Sequence, residues 1–192
     1  MIYMQNIYQI LTLKKNIFHK LEKNRRLFST AFLNLFILGL LSGYVNVANT
    51  RTLLEAELSG GFETPGLAIM VFGYLIFFSI SQIFLTHAGF SLLLWAMGMG
   101  LRGKATFLSV YLHSGAAVPP LWLGLPMLLM YFGAVATGQF ILYLGILSMA
   151  WGFATITNSV MDSQNFSWRQ SVAVLSITII FIISFLILWG KI

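Results

Sequence analysis

His87 and His113 each sit inside a long apolar stretch. An imidazole at membrane depth is costly enough to point to function. At 1.5 Å per residue, His87 falls about 20 Å from the Gly100 end of its stretch and His113 about 13 Å from Lys104, so neighbouring helices would bring them to similar depth. With Gln82 they form an expected intramembrane polar site whose chemistry would be a proton relay. A divalent metal would need three or four ligands, and the acidic residues fall in loops or turns, so no metal site is expected. On the plainer reading each histidine hydrogen-bonds a neighbouring helix, as Ser79, Ser81 and Gln82 also would.

Other chemistries find no residues. The chain has no cysteine, which removes disulfides, thiolate metal sites and a cysteine nucleophile. The run GMGLRGK, with Gly98, Gly100 and Gly103, lacks both the spacing and the preceding strand of a phosphate loop. No Ser, His and Asp set, no paired intramembrane carboxylates and no His-Glu-x-x-His helix is present. Neither an enzyme nor a cofactor is expected.

Small residues mark close helix contacts. Gly39 and Gly43, with Ser42 beside them, make one such face, and Ala96 with Gly100 makes another. Each suits packing inside a bundle or a homodimer seam. Asn34 and Asn46 are expected to hydrogen-bond to neighbouring helices.

The elements that position these residues follow from composition. Of 192 residues, 58% are hydrophobic and only 8% charged, far below the quarter or so that soluble domains carry. Five apolar stretches, 27–48, 67–100, 106–130, 134–157 and 171–190, read as transmembrane helices. The fold class is all-α, a polytopic helical bundle over 27–192. The first stretch is too long for a signal h-region and is expected to remain as a span.

Residues 1–26 place Tyr3, Ile7, Ile10, Leu11, Ile17, Phe18 and Leu21 at helical spacing, which predicts an amphipathic interfacial helix. Lys14 falls on that stripe and would have to snorkel. Lys14, Lys15, Lys20, Lys23, Arg25 and Arg26 cluster before the first span, and Arg102 and Lys104 follow the second. Such cations suit anionic lipid on the cytoplasmic face, and no nucleic-acid partner is expected despite a net charge of +6. The loop with Arg51, Glu55, Glu57 and Glu63 is then outside, the amino end inside and the carboxyl end outside.

That orientation requires an odd number of crossings over 67–100, and one is the economical choice, although a helix of this length would span about 51 Å against a hydrocarbon core of about 30 Å. In the third stretch Pro119, Pro120 and Pro126 remove backbone donors, so a break is expected near 118–120. Thr106 to Ala117 would form a short helix and the crossing proper would start at Pro119. Asn158 to Gln170 is expected to be the inner turn before the last span.

The segment from Leu92 to Pro120, LLLWAMGMGLRGKATFLSVYLHSGAAVPP, resembles the Yip family of five-span membrane proteins. The features that carry the likeness are Gly100, Arg102, Gly103, Lys104, Phe107, Tyr111 and Pro119, echoed by Ser167, Trp168 and Arg169 before the last span. The long amino-terminal region and the Asp-Leu-x-Gly-Pro signature of eukaryotic members are missing, so Rab binding is not implied. The resemblance implies a short, bacterial-type member that offers fold and topology. The expectation is a non-enzymatic protein in the bacterial plasma membrane, acting as scaffold or accessory through lipid, a membrane-protein partner or a second copy. The alternative is a small transporter or channel with a proton-linked path at His87 and His113.

Overall fold

A computed structural model describes residues 2–14, 16–57, 65–133 and 138–189. These are all-helical: α1 (Ile2–Leu11), α2 (Ile17–Lys23), α3 (Leu27–Glu57), α4 (Pro65–Gly100), α5 (Phe107–Ala116), α6 (Leu121–Phe132), α7 (Gln139–Gln164) and α8 (Trp168–Trp189). Four helices, α3, α4, α7 and α8, are long and apolar enough to cross a membrane, and the bent pair of α5 and α6, counted as one, brings the number to five. The burial pattern is that of a protein solvated by lipid. Leu85 is 76% exposed while Asn34 is 0% exposed, and Ser91, Thr155, Ser159 and Ser171 are also buried. Hydrocarbon solvates apolar side chains on the outside and leaves polar ones to find partners within.

The seam between α3 and α4 is antiparallel. Gly39 lies against Ile80 and Gly43 against Ile76 and Ser79, so the backbones approach where no side chain intervenes. Further along, Asn46 Nδ2 donates to Ser79 Oγ at 2.9 Å. This first small-residue face is therefore filled by α4 of the same chain and is not left open as a homodimer seam.

The third apolar stretch breaks as its prolines require. Thr106 caps α5 by accepting from the Ser109 amide, and the chain turns through 76° before α6. Prolines 119 and 120 cannot donate to the carbonyls behind them, which must find other donors. Asn34 Nδ2 donates to the Ala116 carbonyl at 2.8 Å, and Thr155 Oγ1 donates at 2.9 Å to the next carbonyl, that of Ala117, since the Leu121 amide turns to Val118. Trp122 Nε1 in turn donates to the Asn34 carbonyl at 3.0 Å. From there α6 climbs along α3 until Asn49 Nδ2 reaches the Leu129 carbonyl at 3.3 Å. It also packs antiparallel on α7, with Gly124 against Ser148 and Met149, and Gly145 against Leu128. The contacts at both of its ends hold α6 between α3 and α7. Residues 134–137, the expected outer turn, lie outside the described residues.

Several boundaries differ from the sequence expectation: α3 continues past 48 to Glu57, so Arg51, Glu55 and Glu57 are helical and not loop, and α7 starts at Gln139. The inner turn contracts from 158–170 to the residues between Gln164 and Trp168, because Ser159 and Ser163 bond to carbonyls within α7 and Gln164 Oε1 accepts from the Ala105 amide at 3.2 Å. Asn165, at φ 56°, then ends α7 in the left-handed region. Ser167 and Gln170 open α8 with a reciprocal capping box, the Ser167 amide donating to Gln170 Oε1 and the Gln170 amide to Ser167 Oγ.

The amino-terminal stripe also behaves differently in one respect. It forms two helices, because Leu13 and Asn16 adopt φ 52° and 57° between them. Its apolar residues Ile7, Ile10, Ile17, Phe18 and Leu21 are buried in one core with Ala31 of α3, Val110 of α5 and Val160 of α7. The bundle itself thus covers the stripe. Lys14 lies in the break between α1 and α2, exposed.

Tyr3 anchors α1, its hydroxyl donating to Asn34 Oδ1 at 2.6 Å. Burial pushes this phenol up to about 12. A raised value in the folded state means the contribution of the neutral phenol is full below about pH 10, its ordinary value, and is lost as pH climbs through that of the folded protein. Spin labels on Tyr8→Cys and Leu147→Cys, both exposed positions, should therefore move apart between about pH 10 and 12. The transition should vanish in Tyr3→Phe; its persistence there would assign it to another group.

Candidate functional site

His87 projects from α4 onto α5, with 8% of its surface exposed. Nε2 is 3.1 Å from the Tyr111 carbonyl, which can only accept, so that nitrogen carries the proton. Ser91 and Ser114 hydroxyls lie 3.2 and 3.3 Å from the same nitrogen. Ser114 Oγ donates to the Val110 carbonyl at 2.7 Å and lies 3.0 Å from Ser91 Oγ, so a chain of bonds locks the ring. The Tyr111 ring meets the imidazole edge-on, centroids 4.9 Å apart. Nδ1 is left as an acceptor, and no hydrogen bond among the described residues engages it.

His113 is on the same short helix but points elsewhere. Nδ1 donates to the Ser109 carbonyl at 2.8 Å, and the ring lies against Phe18 with centroids 6.2 Å apart. Nε2 is buried without a hydrogen-bond partner, 3.8 Å from Glu22 Oε2. Tyr111, Ser114 and Gly115 turn toward His87, whereas His113 turns to α2. The structure does not bring the two histidines together. Helical periodicity is the reason: residues 111, 114 and 115 share a face, and 113 lies across the axis from it. Gln82 joins neither histidine; it is exposed on the outward face of α4 beside Leu85.

Around His87 opens a cavity of about 910 Å³ between α3, α4, α6, α7 and α8. Leu38, Leu121, Met149, Phe153 and Ile179 are typical of its walls, and among the described residues Thr86 and His87 are its only polar ones. Among the described residues no three His, Asp or Glu side chains gather as a metal site would require.

The cations collect at the end where α3 and α8 begin and α4 and α7 finish. Lys14, Lys20, Lys23, Arg25, Arg26, Arg102 and Lys104 are all exposed there, and Arg169 joins them. The turn after α4 is closed by the Gly103 amide donating to the Gly98 carbonyl at 2.9 Å, and both glycines touch the Gln164 side chain. Lys15 lies outside the described residues, as do Glu63 and the side chains of Glu55 and Glu57. The second small-residue face is open: Ala96 is exposed, and a Cβ at Gly100 would meet nothing within 4 Å.

Sequence reasoning missed Ser91, Ser114, Thr86, Gly89 and Glu22. Ser91 is four residues from His87 and so one helical turn away, a signal that was present. Ser114, Glu22 and the cavity walls are brought in from other helices and left no local trace. Compared with known proteins, the chain matches no family model, no curated protein and no solved structure.

Proposed function

We propose that this chain, an integral membrane protein, is a non-enzymatic organising or accessory protein of the Yip type that works through contacts. Its basic end faces the cytoplasm of a bacterial cell and holds anionic lipid headgroups, and the open small-residue end of α4, with Ala96 and Gly100, meets a partner membrane protein. The observation that carries this reading is the distribution of polar groups. The exposed cations named above gather at one end of the bundle, while the described polar groups at depth are largely spent on internal hydrogen bonds. Cations near a charged leaflet contribute roughly 1 kcal/mol each, enough for several to hold an annulus of acidic lipid. The transporter reading loses support because His87 and His113 face opposite ways and Gln82 faces out.

Native mass spectrometry of the protein released from nanodiscs of phosphatidylcholine and phosphatidylglycerol tests the lipid contact. Changing Arg25, Arg26, Arg102 and Lys104 together to Gln should reduce retained phosphatidylglycerol at least tenfold, since four such contacts are worth about 4 kcal/mol. Undiminished retention would overturn the assignment of the basic end. Proton flux through proteoliposomes that disappears in His87→Ala would instead return the molecule to the transporter class.

A further inference from the structure

We propose that the cavity beside His87 is a binding site for a neutral lipid bearing a free hydroxyl, a diacylglycerol or a long-chain alcohol, taken sideways from the bilayer. This site is separate from the basic end and stands whether or not that end binds anionic headgroups. Its volume of about 910 Å³ falls within the range of about 300 to 1,000 Å³ typical of small-molecule sites. No charged residue lines it, so a phosphate or ammonium headgroup would enter without compensation, at high cost.

Access is lateral. Thr86 and Gly89 are cavity walls that are also exposed on α4, and Ile146 of α7 is another. The last two turns of α8, from Ile183 to Leu188, are exposed on every side. The opening therefore faces the medium that surrounds those apolar residues, hydrocarbon, and an acyl or isoprenoid chain is the occupant at hand.

The hydroxyl is specified by His87. The locked Nε2 edge is turned to Tyr111, so the edge left for a ligand carries Nδ1, a lone-pair acceptor with no hydrogen-bond donor among the described residues. An acceptor that opens on an apolar cavity finds no donor in hydrocarbon, at a cost of about 1–3 kcal/mol, and a ligand O–H relieves that cost whereas an ester-only chain does not. The Ser91 and Ser114 hydroxyls keep the imidazole in the tautomer that accepts.

The test uses the full chain in phosphatidylcholine nanodiscs with three diazirine photoprobes: a diacylglycerol, a long-chain alcohol and a phosphatidylcholine. One or both hydroxyl probes should label cavity peptides of α7 and α8 about tenfold more than the phosphatidylcholine probe, the equivalent of one hydrogen bond. Whichever labels more strongly names the source. His87→Phe should erase the preference. Gly89→Phe places a ring at the mouth, where a Cβ meets nothing within 4 Å, and should reduce labelling by every probe; Gly73→Phe, equally unobstructed but away from the cavity, should not. Equal labelling by the phosphatidylcholine probe, a preference that survives His87→Phe, or full labelling in Gly89→Phe would each overturn the proposal. The two glycine variants add bulk only in open space and so keep the test decisive if His87→Phe misfolds.

Discussion

Asn34→Leu should destabilise the folded protein by about 2–5 kcal/mol. Asn34 is 0% exposed and joins three parts of the chain. Its amide donates to the Ala116 carbonyl, its oxygen accepts from Tyr3, and its own carbonyl accepts from Trp122. Leucine keeps the volume but leaves the Ala116 carbonyl and the Tyr3 hydroxyl without partners, at about 1–3 kcal/mol each.

Hydrogen bonds between membrane helices average only about 0.6 kcal/mol, because an unfolded helix in the membrane finds other partners. Ala116 escapes that discount. Its carbonyl lies at the proline break, where position 120 has no amide hydrogen to offer. Equilibrium unfolding in detergent micelles measures the loss. Tyr3→Phe should cost about 1 kcal/mol, since Asn34 keeps its bond to Ala116. Similar small losses for both variants would mean that the break finds its donor elsewhere.

Gly39→Leu should cost 3 kcal/mol or more, or force α3 and α4 apart, at the extreme of the range of about 1–3 kcal/mol usual for overpacking. A Cβ at position 39 would sit 2.8 Å from the Ile80 Cα, and one at position 43 would sit 3.0 Å from the Ile76 Cα. Backbone cannot swing away as a side-chain tip can. The same change at Gly73, where a Cβ meets nothing within 4 Å, should be neutral or mildly stabilising through helix propensity. Unfolding of the monomer is the decisive readout, paired with crosslinking in native membranes. Unchanged unfolding with lost intermolecular crosslinks would move the Gly39 and Gly43 face to a homodimer.

Much of the architecture was legible residue by residue. The proline pair located the bend before α6, and the Gly39 and Gly43 spacing located a close helix contact. Asn34 and Asn46 were read correctly as interhelical donors, because an amide inside a span has few other uses. The site was less legible. Depth along a helix can be counted from its ends, and His87 and His113 do lie on adjacent segments. Depth says nothing about azimuth across a helix that starts after a turn, and azimuth separates the two rings. Gln82 failed for the same reason: a polar residue in a span need not face inward when its neighbours on α3 and α5 are already matched to Ser79 and His87.

By itself the sequence determined that this chain is an all-helical membrane protein, where its long apolar helices lie, where the third apolar stretch breaks and which end is basic. Those properties depend on local composition, because transfer of a helix into hydrocarbon depends on the residues within it and on little else. Tertiary structure alone decided that the amino-terminal stripe is covered by α3, α5 and α7, that the histidines diverge, and that a cavity opens beside one of them. Each of these depends on which faces of distant segments meet, and in lipid that choice rests on close packing and a few hydrogen bonds between residues 24 to 88 positions apart.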